Sequence, residues 1–236
     1  MNYNELNKKQ YDEIYSHDEY DISSVYDHIV RIRQRYLNID SGRLLDHGYG
    51  NGVVSEYFLK ENFDVYGIEN SEATQKFIFQ RSEFTANLKP EQFVFTDPEK
   101  NELPYPDNYF SVIISNQVLF FLGSLLEITK TIDEFYRVLC PGGKLVCTVM
   151  AEDNYLFTQY GIPPVPDKGI VNVKMSGRIS RDWYLYRFRD EEDVKSTFIN
   201  SGFVIDDTGY FDYKILDVTC AKHYIVLAHK PLFNII

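Results

Sequence analysis

Asp46, Gly48, Gly50 and Gly52 occupy alternate positions in the string Arg-Leu-Leu-Asp-His-Gly-Tyr-Gly-Asn-Gly, residues 43–52, and Glu69 follows 21 residues beyond Gly48. A carboxylate closing an apolar run, a glycine turn and a second carboxylate at that distance suit one kind of ligand, a nucleoside. Glycines let the backbone approach a ligand where a Cβ would collide with it. An acid at the tip of the second strand can accept hydrogen bonds from a ribose diol. A dinucleotide fingerprint needs glycine at the first, third and sixth positions of its turn. Counted from Gly48 the sixth position is Val53, so that pattern is excluded. A third acid, Asp97, closes the apolar run Phe93-Val94-Phe95-Thr96.

The elements that must hold these residues are legible around them. A short apolar strand ends at Asp46, and Val53, Val54, Tyr57 and Phe58 then fall on one face of a helix. A second strand rises through Val65 to Ile68 and ends on Glu69, completing a βαβ unit. Ser71 can cap a helix running to about Arg81, with Phe77 and Ile78 inward, and a third strand is expected over residues 92–96. After the turn Pro104-Tyr105-Pro106-Asp107-Asn108, the run Phe110 to Ser115 predicts a buried strand without alternation. It delivers Asn116 and Gln117 to its carboxyl end, where open α/β sheets place their ligands. Leu125, Ile128, Ile132, Phe135, Tyr136 and Leu139 mark a helix stopped by Pro141-Gly142-Gly143, before a fifth strand over Lys144 to Met150. Asp190-Glu-Glu-Asp193 caps a helix to Asn200, and strands at Phe203 to Ile205 and His223 to Ala228 finish the chain. Residues 1–40 read as helical, with Val25, Ile29, Ile32 and Tyr36 giving Ile22 to Tyr36 an apolar face. Arg31, Arg33 and Arg35 are expected on a solvated face, and His28 reads as a satisfied structural histidine.

The series Asp-x-Gly-x-Gly-x-Gly, then Glu69, then Asp97 resembles the class I S-adenosylmethionine-dependent methyltransferases, in their small-molecule, type 11 branch. Leu-Pro-Tyr-Pro-Asp-Asn-Tyr-Phe before the fourth strand and Arg-Val-Leu-Cys-Pro-Gly-Gly before the fifth are similar to that family's strings; Ser111 stands where the family has aspartate. The resemblance implies a Rossmann-like α/β fold with a seven-stranded, mostly parallel sheet, helices on both faces and an antiparallel last strand. It implies Asp46 and Gly48 to Gly52, Tyr49 included, around the amino-acid end of the cofactor, Glu69 on the ribose and Asp97 near the adenine amino group. Asn70, Pro98, Asn116 and Tyr15 join that cofactor set, Tyr15 because an N-terminal segment folds over the cofactor in such proteins. His47 and Tyr49 depart from the family's usual small or apolar residues. His47 is expected to pack under the turn, and a ring at 49 is the feature that would crowd the cofactor's methionine end. No catalytic residue is assigned.

Bulk properties narrow the acceptor. The chain has 236 residues, 44% hydrophobic and 25% charged, with net charge −11. One domain is expected: a helical cap (1–40), a cofactor half (41–150), a lid (151–189) and a C-terminal helix with strands (190–236). The negative charge disfavours a phosphate backbone as substrate. Asn116-Gln117 is not the Asn/Asp-Pro-Pro-Tyr box that serves methylation of planar amines in bases and glutamines. Three cysteines without a Cys-x-x-Cys pair and five histidines without ligand spacing indicate no metal site. No apolar run is long enough to span a bilayer, and a cytoplasmic enzyme is expected. Residues 151–189 combine Trp183-Tyr184-Leu185-Tyr186 with six Lys/Arg against four Asp/Glu, which reads either as an aromatic, locally basic lid suited to an anionic small molecule or, equally, as an extra hairpin with a solvated face. Two readings follow: methyl transfer from S-adenosylmethionine to a small-molecule acceptor, leaving S-adenosylhomocysteine, or a regulatory binder that has lost turnover. A methyltransferase acting on RNA or protein is a third, weaker reading.

Overall fold

The computed structural model describes residues 3–16, 25–80, 88–96, 102–162, 169–175, 181–213, 216 and 220–232. A seven-stranded sheet forms its centre. In chain order the strands are β1 (Gly42–His47), β2 (Phe63–Glu69), β3 (Phe93–Phe95), β4 (Phe110–Asn116), β5 (Leu139–Met150), β9 (Val204–Phe211) and β10 (His223–His229). They lie side by side as β3-β2-β1-β4-β5-β10-β9. β1 is parallel to both neighbours, with Leu45 opposite Tyr66 on one side and Ile113 on the other. β10, the last strand of the chain, runs antiparallel between β5 and β9. The strand order reverses at β1 and β4, which opens a crevice above their carboxyl ends.

Alternation along the strands divides the core in two. Leu44, Val112, Val146 and Leu227 face α2 (Asp27–Arg35), α3 (Val53–Lys60) and α4 (Glu72–Gln80), whose Ile29, Ile32, Val54, Phe58 and Ile78 are buried on them. Leu45, Ile113, Leu145 and Cys147 face α5 (Leu125–Val138) and α7 (Glu191–Asn200) through Ile128, Ile132, Phe135, Val194 and Phe198. Helices thus cover both faces, as parallel sheets require. The caps follow their sequence signals: Ser124 Oγ accepts from Glu127 N–H at 3.2 Å, and Asp190 Oδ1 from Asp193 N–H at 2.8 Å.

The N-terminal expectation needs correction. α2 starts at Asp27, so Val25 lies ahead of it, while Tyr36 at its end is 46% exposed. His28 completes its buried face instead, because the imidazole has a ring and a polar atom to bury against it. Arg33 is not solvated: its guanidinium pairs with Glu61 at 3.2 Å and lies over the Phe63 ring.

Between β5 and α7 the chain builds α6 (Tyr155–Gln159) and a small antiparallel sheet of β6 (Gly161–Ile162), β7 (Ile170–Met175) and β8 (Arg181–Tyr186). Its Val171, Val173, Trp183 and Leu185 join the larger core. α1 (Tyr3–Ser16) crosses from this sheet to α4. Asn7, 1% exposed, fixes the crossing: it donates to the Phe121 and Tyr184 carbonyls at 2.8 Å and accepts from Tyr184 N–H at 3.0 Å. At its other end Asp12 accepts from the Ser71 hydroxyl at 2.5 Å. No helix among the described residues is long and apolar enough to cross a membrane.

Candidate active site

A cavity of about 440 Å³ lies above the carboxyl ends of β1, β2 and β4, roofed by α1 and closed on one side by β8. The glycine turn forms its floor. Gly48, Gly50 and Gly52 all have positive φ, and Gly48 N–H donates to the Ile68 carbonyl at 2.8 Å, binding the turn to the tip of β2. A Cβ on Gly48 would stand 2.3 Å from Val118, so the turn can lie this close to the β4 exit only as glycine.

Asp46, 2% exposed, accepts from the Ser55 hydroxyl at 2.6 Å and so pins the first turn of α3 to the end of β1. Glu69 is held by two backbone donors, Gly50 N–H on Oε1 at 3.2 Å and Asn70 N–H on Oε2 at 2.9 Å. Each oxygen keeps a further lone pair, so the carboxylate is oriented without being saturated. Burial pushes Glu69 up to about 7, with the Asp46 and Asp12 charges adding to the rise. Asp46 is pushed up to about 7 as well, burial outweighing its bond from Ser55. Asn70 Oδ1 is buried with no hydrogen-bond partner. A cradle of glycines, an oriented carboxylate and an orphaned amide oxygen fit the ribose and amino-acid parts of an adenosyl amino acid.

Tyr49 borders the cavity, but its ring is turned into the core: it is 3% exposed, meets Phe93 edge-on with centroids 5.4 Å apart, and packs where a Cβ on Gly67 would stand 2.6 Å from it. The core thereby takes up the bulk that the sequence placed in the turn. His47 packs beneath the turn against Phe135, its Nδ1 3.1 Å from Ser115 Oγ, and burial lowers it to about 4. Asp97 and Pro98 lie outside the described residues, as does the side chain of Tyr15. Tyr11, one turn earlier on α1, borders the cavity and meets Phe121 and Trp183 edge-on, each at 5.2 Å.

The opposite wall comes from segments far apart in the chain. Asn116 Oδ1 accepts from the Thr148 hydroxyl at 2.9 Å, and Thr148 Oγ accepts from Gln117 N–H at 2.8 Å. His28 Nε2 lies 2.9 Å from the same Asn116 oxygen, so Nε2 carries the proton and the Asn116 amide group is turned toward the cavity it lines. Gln117 is held at φ 60°, a left-handed conformation at the strand exit. His28 also stacks on Phe211 at 4.0 Å, and Phe211 stacks on His223 at 5.0 Å, both pairs within 8° of parallel. His223, absent from the sequence-based candidates, borders the cavity beside Phe120 and Met150. Its signal was invisible in sequence because Phe211, the ring that orients it, is its partner across the β9–β10 pairing. Among the described residues one lid cation, Arg181, reaches the cavity; it sits 3.8 Å from Glu13, while Arg187 donates to the Glu152 carbonyl and Arg189 pairs with Asp193. Among the described residues the lid thus brings one guanidinium to this wall.

Comparison with known proteins agrees with this architecture. Residues 45–147 match the family described as Methyltransferase domain, type 11. The ubiquinone/menaquinone biosynthesis C-methyltransferase UbiE of Rickettsia akari is 28% identical over 152 residues, 60% of each chain. The demethylmenaquinone methyltransferase of Symbiobacterium thermophilum is 26% identical over 117 residues, 45% of each. The chain thus spans about half the length of the curated relatives it matches. Among solved structures, a SAM-dependent methyltransferase of Methanosarcina mazei superposes with a TM-score of 0.73 at 17% identity, covering 89% of this chain and all of that one.

Proposed function

We propose, from the premise that this chain carries a class I S-adenosylmethionine-dependent methyltransferase domain of the type 11 branch, that it methylates a small, planar, hydroxylated acceptor. The observation that carries the reading is the Glu69 carboxylate, oriented by Gly50 and Asn70 over a glycine floor. S-adenosylmethionine, when bound, supplies a methyl group already activated on a sulfonium. The chain's residues then have to hold both partners and exclude water, and such positioning is worth ~7 to 11 kcal/mol. Glu69 and the Asn70 oxygen are assigned to the ribose, and Asp46 with the 48–52 turn to the amino-acid end. Asp97, Pro98 and Tyr15 remain assigned to the cofactor by family resemblance alone. The acceptor is assigned to the far wall, where Tyr11, Phe120, Phe121, Trp183 and Leu156 offer flat apolar surface. Asn116 offers donors there, and Arg181 would meet an anionic group. The names of the relatives, quinone-pathway methylases, support an acceptor of this shape. The burial of the Tyr49 ring in the core supports an active enzyme over a non-catalytic binder.

Calorimetric titration with S-adenosylhomocysteine tests the reading. Binding that Glu69→Ala weakens about 100-fold is expected, from the loss of charge-assisted hydrogen bonds worth ~1.5–3 kcal/mol each. No heat and no thermal stabilisation with either S-adenosylhomocysteine or S-adenosylmethionine would overturn it.

A further inference from the structure

His223 is the first residue of β10, opposite Met150 at the end of β5, so its ring stands at the cavity rim on the acceptor side. Three contacts determine how that ring is presented. Phe211 stacks on one face at 5.0 Å and 8°, and His28 stacks on the other side of Phe211, so the plane of the imidazole is clamped. The edge of the ring near Phe120 limits rotation further. Nδ1 lies 2.8 Å from the Ala221 carbonyl. A carbonyl oxygen only accepts, so Nδ1 carries the hydrogen and Nε2 is left with its lone pair. Nε2 has no partner among the described residues, and the accessible part of the ring borders the cavity.

Of the other acids and imidazoles bordering the cavity, Glu102 is exposed to solvent and the rest are engaged elsewhere. Asp46 is tied to Ser55, and Glu69 faces the glycine floor. Glu134 holds Arg137 and the Leu103 N–H, and His47 is paired with Ser115. Resting on the functional reading above, we propose that His223 is a catalytic residue: Nε2 accepts the proton of an acidic hydroxyl on the acceptor. The hydroxyl proton passes to Nε2, the electron pair it leaves behind makes the acceptor nucleophilic at oxygen or at a conjugated carbon, and that atom bonds the methyl carbon; where it is carbon, the hydrogen it carried then leaves to water and the oxygen regains a proton as the ring is restored. The methyl–sulfur pair stays on sulfur. The imidazolium returns its proton to water once product has left. The charged groups around the ring are His28 beyond Phe211 and Asp212 at the strand end; burial keeps the free imidazole neutral. Asn116, anchored through His28, would hold a second oxygen of the same acceptor.

The experiment is nitrogen-detected NMR of the His223 ring in the full chain saturated with S-adenosylhomocysteine, followed by addition of phenol, catechol or 1,4-dihydroxynaphthalene. The expected result is an Nδ1–H tautomer at neutral pH, and an Nε2 signal that shifts on accepting a hydrogen bond from at least one probe. His223→Phe should leave S-adenosylhomocysteine affinity within about twofold and weaken binding of that probe about tenfold. An Nε2–H tautomer, or an Nε2 signal unmoved by all three probes, overturns the proposal. The wild-type signal decides this even if the variant does not fold. Intact S-adenosylhomocysteine binding with either of those results removes the base and leaves the methyltransferase reading standing; loss of that binding removes both.

Discussion

The two walls of the cavity are built differently. The cofactor floor is assembled from residues 46–70, one βαβ unit whose contacts are short in sequence: Ser55 with Asp46, Gly50 with Glu69, Asn70 with its own neighbour. The acceptor wall is assembled from α1, α2, the β4 exit, β8 and the start of β10. Its defining bonds join Asn7 to Tyr184, 177 positions apart, and His28 to Asn116, 88 apart. The floor can be specified locally because one turn and one helix start position it. The wall exists only when the sheet has closed and the N-terminal helices have docked. Chemistry common to many acceptors sits on the local part, and selection among acceptors sits on the part that long-range packing controls.

That contrast can be broken most sharply at Gly48. Gly48→Ala forces a Cβ to within 2.3 Å of Val118 at φ +73°, and is expected to cost ~3–4 kcal/mol from overpacking and left-handed strain together. Urea denaturation would read the loss as a lowered midpoint, and an unchanged midpoint would show that the floor is more pliable than its geometry implies. Adding Val118→Ala should recover part of the loss and leave the strain.

Next in size, Glu69→Ala should separate the walls by function: about a 100-fold loss of S-adenosylhomocysteine affinity, ~2.7 kcal/mol, against no more than about twofold for His223→Phe. Similar losses in the two variants would mean that floor and wall are not distinct sites.

pH sharpens the same division. Glu69 and Asp46 are each raised to about 7, so between the ordinary carboxylate range and pH 7 the native chain binds protons that the unfolded chain has released. Stability of the ligand-free protein should therefore fall as pH rises through that window and level off above it. Glu69→Gln should flatten the fall. S-adenosylhomocysteine, which needs the ionised Glu69 as acceptor, should bind more tightly at pH 8 than at pH 6. A stability that rises from pH 5 to pH 8 would contradict the burial of these carboxylates.

The smallest effect is expected at the roof. Asn7→Ala removes three hydrogen bonds between α1, β8 and the 119–121 turn, and should loosen α1 by ~1–2 kcal/mol while the sheet keeps its stability. Hydrogen exchange would show faster exchange in α1 and β8 alone. Acceleration throughout β1 and β4 would mean that α1 is integral to the core instead of laid over it.

Much of this molecule was legible in its residues, for reasons that differ by region. The Asp46–Gly52 turn, the strand ending on Glu69 and the Ser71 cap are local signals, and each corresponds to an element of the structure; Pro141-Gly142-Gly143 does not precede β5 but lies inside it, where its register with β4 shifts. Of the small sheet inside residues 151–189 only a hairpin was legible, matched by the β7–β8 pair, because β6 and β7 owe their strand character to pairing more than to composition. The extent of α2 was misread since His28, a polar residue, occupies the place an apolar step of three or four would have filled. Arg33 was misread for the mirror reason: its partner, Glu61, belongs to another helix end.

The sequence by itself determined the βαβ unit, the order of acid, glycine turn and acid, and the resemblance that goes with them, because those depend on turn geometry and on spacing within some thirty residues. Only the tertiary structure decided which way the Tyr49 ring turned, that Arg181 borders the cavity, and that His28, Phe211 and His223 share one stack. Those outcomes depend on which segments meet when the sheet closes, and a side chain's neighbours across strands are not written in its neighbours along the chain.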